Sequence, residues 1–109
     1  MLKTLVIALS LLSVPAFADT RWEREHPRRD QVNDRLENQH ERVRAGVRDG
    51  ELTRREARRI HREDRAIRGE ERAMAAEHHG HITRGEERRL DRQENRVSRQ
   101  IYRERHDGR

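Results

Sequence analysis

Gly50-Glu51-Leu52-Thr53-Arg54-Arg55-Glu56 returns thirty residues later as Gly80-His81-Ile82-Thr83-Arg84-Gly85-Glu86. Each copy reads as the end of one helix and the start of the next. A glycine just past a helix end takes the left-handed conformation that satisfies free carbonyls. Three residues on, Thr53 or Thr83 is an N-cap whose hydroxyl accepts from an orphan amide. Glu56 or Glu86 at the third helical position folds back and completes a capping box. Leu52 and Ile82 sit just before the caps, where they staple the turn to the following helix.

The motif lies inside a longer repeat. Residues 41–70 align with 71–100 without a gap and share ten identical positions, among them Ala45/Ala75, Thr53/Thr83 and Arg62/Arg92. A repeat of this length is one supersecondary unit used twice. Two Gly-x-[Leu/Ile]-Thr-x-x-Glu turns predict an all-α fold of three helices, from about Asp30 to Arg48, Arg54 to His78 and Arg84 to His106. Residues 30–109 form a single helical domain. Residues 19–29 are expected as a flexible N-terminal arm anchored by Trp22, and Gly69 as a weak point or break in the second helix.

The apolar stripe is narrow. It comprises Val32, Leu36, Val43 and Val47, then Ala57, Ile60, Ile67 and Met74 with Ala66 and Ala73 alongside, then Leu90, Val97 and Ile101. Their spacings of three, four and seven put them on one face of each helix. Val, Ile, Leu and Phe supply only 11 residues after Ala18. So thin a core fits a slender helical hairpin with a third helix, either marginal alone or completed by a partner or a second copy.

The chain opens Met1-Leu2-Lys3, runs apolar from Thr4 to Val14, and reaches Ala16-Phe17-Ala18. A basic start, a short apolar stretch and a small-x-small site are the pattern of a secretory signal peptide, residues 1–18, with cleavage before Asp19. The run is too short to span a bilayer. A periplasmic or secreted location follows, with no transmembrane span in the mature form. Cysteine is absent, so neither disulfides nor thiol chemistry enters. Lys3 is the only lysine, and all later basic residues are arginines interspersed with acids. That mixture is a balanced polyampholyte, which allows weak polyanion or envelope-surface contact rather than dedicated nucleic-acid binding.

Glu77, His78, His79 and His81 form the densest group of metal-ligand types, suited to zinc, copper or nickel. The first repeat has Val47-Arg48-Asp49-Gly50-Glu51 there, so the turn itself needs no histidine. His26, His40, His61 and His106 are scattered and read as surface residues. The turns also match the second half of a calcium-binding EF-hand loop. Its first ligand positions, however, fall on Ala45 and Val47, or Ala75 and Glu77, which argues against calcium. No nucleophile and base stand together. The apolar surface is too small to bury a carboxylate and raise its pKa, so enzyme activity is not expected.

Leu52-Thr53-Arg54-Arg55-Glu56 and Ile82-Thr83-Arg84-Gly85-Glu86 resemble the paired Leu-Thr-x-x-Gln motifs of the Spy/CpxP-type periplasmic stress proteins, with Glu in place of Gln. The chain also looks like small arginine-rich secreted proteins of proteobacteria, a likeness that supplies no function. The Spy/CpxP resemblance implies a helical cradle dimer with ATP-independent chaperone-like or envelope-stress activity. The residues themselves point to a non-enzymatic interaction protein with a protein partner or self-association, and alternatively to a divalent-metal-binding protein.

Overall fold

The structure is a computed structural model of the chain and describes residues 20–107. The expected signal peptide, residues 1–18, and its cleavage site lie outside the described residues. Four helices follow in order: α1 (Arg21–Glu25), α2 (Pro27–Arg48), α3 (Arg54–Glu77) and α4 (Arg84–Arg105). The fold is all-α. None of these helices is long and apolar enough to cross a membrane.

The three long helices begin and end within a few residues of where the caps place them. Thr53 and Thr83 accept from the amides of Glu56 and Glu86, and both glutamates return a carboxylate to the threonine amide. The arm differs from expectation. Thr20 and Glu23 form a third capping box, which starts α1. Proline at the first position of α2 needs no amide partner and has its backbone preset for a helix, so α2 starts at Pro27 rather than near Asp30. α3 runs unbroken through Gly69, where an added Cβ would meet nothing. The missing side chain therefore weakens helix propensity without interrupting the hydrogen-bond ladder.

α2, α3 and α4 pack pairwise into an up-down-up bundle, α2 and α4 running together and α3 against both. Val32, Leu36, Val43, Leu52, Ala57, Ile60, Ile67, Ala75, Ile82, Leu90, Val97 and Ile101 make one continuous core, with Val47 and Met74 partly buried against it. Every Val, Ile and Leu of the described segment is therefore in or against the core. Ala66 and Ala73 are exposed instead, and Ala75 takes the buried place. The stripe is completed by polar residues: Gln39, Asp64, Glu71 and Glu94 are all buried.

Candidate functional site

The two repeat turns are built on one plan but are not identical. In the first, Gly50 is left-handed at φ 75° and the Glu51 amide donates back to Gly46 at 2.9 Å. In the second, the Gly80 amide donates back to Ala75 at 2.8 Å, so the residue in the closing left-handed position is His79, at φ 55°. Gly80 is itself at φ 92°. The glycine expected to close this turn is thus one residue late, and a histidine carries the strain. Leu52 and Ile82 are buried as staples. Leu52 sits so close over Gly46 that a Cβ there would lie 2.7 Å from its Cδ1.

Arginines from neighbouring helices clamp both turns. Arg105 of α4 pairs with Glu51 and, at 3.7 Å, with Asp49. Its hydrogen bond holds Glu51 below the usual carboxylate range. Arg28 and Arg29 of α2 donate to the carbonyls of Ile82 and Gly80 at 3.2 and 3.0 Å. Arg29 also pairs with the buried Glu71 and lies over the Trp22 ring.

The histidine cluster separates along these lines. His81 turns away to stack on His26, which stacks on Trp22. His79 sits at the strained position of the turn. Only His78 keeps company with Glu77, and both approach Glu86, with His78 Nε2 3.4 Å from Glu86 Oε1. Glu77, His78 and Glu86 are the one group of three metal-ligand side chains within 4.8 Å of one another among the described residues. Glu86 is already engaged: the Thr83 amide holds its carboxylate below the usual range, and the hydroxyl and His78 add to that. A metal there would compete with the helix cap.

The middle of the bundle holds what the sequence reading did not anticipate. Asp64 and Glu94 occupy equivalent places in the two repeats, and both are buried. The expectation that no carboxylate is buried is therefore overturned, because Asp64 and Glu94 fill stripe positions between Ile60 and Ile67, and between Leu90 and Val97. Desolvation raises Glu94 to about 8 against the opposing pull of Arg35, with Asp91 and Asp64 adding to the rise. Desolvation likewise raises Asp64 to about 7, with Glu63 adding to it and Arg68 opposing. Gln39 donates its amide to the Glu94 carbonyl at 2.7 Å. Next to this layer His40 and His61 are half-buried and face each other, a correction to their reading as scattered surface residues.

Outside the core, α3 and α4 leave a groove of about 510 Å³. Ala66, Ile67 and Val97 contribute its apolar surface, and Arg96, Arg99 and Arg103 line it as well. These three guanidiniums make no ion pair among the described residues. On the other side of Arg99 and Arg103 lies a second hollow with Tyr102, which is 60% exposed. Ser98, the only serine of the described segment, accepts a hydrogen bond from Arg42 at 2.7 Å. No family model, curated protein or solved structure matches the chain.

Proposed function

We propose that the chain is a non-enzymatic helical binding protein of the cell envelope that holds acidic, partly apolar segments of other polypeptides, in the manner of a chaperone. The carrying observation is the α3/α4 groove. It sets the exposed Ala66 and the outer edges of the core residues Ile67 and Val97 beside the cations Arg96, Arg99 and Arg103. Arg29, Arg35 and Arg105, by contrast, are paired within the fold. Three guanidiniums left together beside apolar surface complement a partner with alternating acidic and apolar positions. Tyr102 extends the same face with a large amphipathic side chain of the kind enriched in protein interfaces. The leader-like start supports an envelope location, and the Spy/CpxP-like turns are in keeping with a chaperone-like role.

The test is fluorescence anisotropy with two labelled amphipathic peptides of equal length, one built on Glu and Leu, the other on Lys and Leu. The acidic peptide is expected to bind at least about tenfold more tightly, and Arg99→Glu to remove the preference. Equal affinity for both peptides, or an unchanged preference in the variant, rejects the groove as the binding face. Light scattering with the protein alone separates partner binding from self-association through the same groove.

A further inference from the structure

Between α2 and α3, on the opposite side of α3 from the arginine groove, lies a cavity of about 400 Å³ lined by Leu36, Glu37, His40, His61, Asp64, Arg65 and Arg68. Two imidazoles meet in it. His40 Nδ1 and His61 Nδ1 are 3.4 Å apart, with the rings tilted at 48°. That separation is longer than a good N–H···N hydrogen bond. It is, however, the spacing of two ligands on one tetrahedral ion. With metal–nitrogen bonds of about 2.0–2.1 Å, a 3.4 Å separation gives a ligand–metal–ligand angle of about 110°.

A third group points to the same use. Asp64 stands one helical turn after His61, is buried, and neither of its carboxylate oxygens has a hydrogen-bond donor. Buried carboxylates are ordinarily paired or bound to a metal. On the facing helix, Glu37 precedes His40 by one turn. Because α2 and α3 are antiparallel, Glu37-x-x-His40 and His61-x-x-Asp64 present the same two ligand types to the cavity from both sides.

We propose that His40, His61 and Asp64 form a transition-metal site of the zinc, copper or nickel class, with Glu37 or water completing the coordination. The two imidazoles are in place, and Asp64 closes on them by side-chain rotation into the cavity, since its oxygens do not lie within 4.8 Å of both nitrogens. Arg65 and Arg68 also line the cavity and oppose a cation, so the two carboxylates are needed to balance them. A mixed imidazole and carboxylate set suits these borderline ions rather than calcium or magnesium. The site is independent of the arginine groove. It cross-links α2 to α3, so a bound ion stabilises the bundle.

The test is calorimetric titration of the full mature chain with Zn²⁺ and Cu²⁺, with NMR of the histidine ring protons recorded alongside. One equivalent is expected to bind with a dissociation constant of about a micromolar or tighter, shifting or broadening His40 and His61. Affinity is expected to fall at least about 100-fold in His40→Asn and His61→Asn, and about tenfold or more in Asp64→Asn. The triple variant His78→Ala, His79→Ala, His81→Ala is expected to keep it. Helicity by circular dichroism shows that each variant is folded. The NMR arm uses wild type alone and needs no variant to fold. Binding weaker than about a millimolar, or ring signals that move at His78, His79 or His81 instead, overturns the proposal.

Discussion

Glu94→Gln is expected to make the protein more stable at alkaline pH and to flatten its stability profile. Glu94 is fully buried at the centre of the bundle, facing Arg35 of α2 at 3.8 Å, with Asp64 of α3 and Asp91 of its own helix nearby. Desolvation raises its pKa from 4.5 to about 8. The folded chain therefore holds a proton that the unfolded chain has already released between these values. The resulting stabilisation is complete below about pH 4.5 and is lost as pH rises through about 8. By linkage the full loss is about 5 kcal/mol, at about 1.4 kcal/mol per pKa unit. The amide of glutamine cannot ionise, and it brings donors to a layer where Gln39 Oε1 and both Asp64 oxygens lack partners. The assay is urea unfolding followed by circular dichroism at about pH 5 and about pH 9, with a chelator present throughout. At the lower pH the variant is expected within about 0.5 kcal/mol of wild type, and at the higher pH about 4 kcal/mol above it. Parallel pH profiles for the two proteins would falsify the account of Glu94 as a carboxyl kept neutral by burial.

The turns and clamps give further expectations, each readable from thermal or urea unfolding. Thr53→Ala and Thr83→Ala each cost about 1 kcal/mol, because each removes a cap whose hydroxyl accepts at 3.1 Å. His79→Gly stabilises by about 1 kcal/mol, since glycine carries no penalty at φ 55°; no gain would mean the histidine is held there by an unrecognised contact. Gly46→Ala costs about 1–3 kcal/mol, because Leu52 must leave its place over the glycine. Gly69→Ala, with open space around its Cβ, gains about 0.5–1 kcal/mol and serves as the opposite control. Arg29→Ala costs about 3–5 kcal/mol by leaving Glu71 buried without its partner, and a loss below about 1 kcal/mol would show that Glu71 relaxes into solvent.

What the sequence showed plainly was local. Thr53 and Glu56, or Thr83 and Glu86, satisfy each other's neighbourhoods across three residues, so the caps and the all-α fold could be read without knowing how the helices pack. The core stripe was legible for the same reason, as a matter of spacing along one helix. The polar layer was not, because Asp64, Glu71 and Glu94 fall on stripe positions where residue type argues for solvent. One signal was available: Asp64 and Glu94 are matched acids thirty residues apart, each flanked at four before and three after by Ile60 and Ile67 or Leu90 and Val97. The pairing of His40 with His61 needed the register of two helices. It could have been drawn by reflecting the chain about the Gly50–Glu51 bond, which places His40 opposite His61 and Glu37 opposite Asp64.

The same reflection bears on why the core tolerates its acids. A chain with two near-copies of one helical hairpin, and a stripe of short aliphatic residues repeating at three and four, offers several packings of similar apolar burial. A one-heptad slip of α4 along α2 would still bury Val, Leu and Ile against one another. It would also carry Glu94 away from Gln39 and Arg35, and Arg105 away from Glu51. A buried polar position that only one register satisfies is the best-attested use of such groups in helical assemblies. In this bundle the carboxyl oxygens of Glu94 have no hydrogen-bond partner, and the register is held instead by Arg35 beside Glu94, by the Gln39 bond to the Glu94 backbone carbonyl and by the Arg105 clamp, which a slipped register loses. The core's polar residues thus act less as a source of stability than as a choice among packings that the apolar stripe alone leaves close in energy.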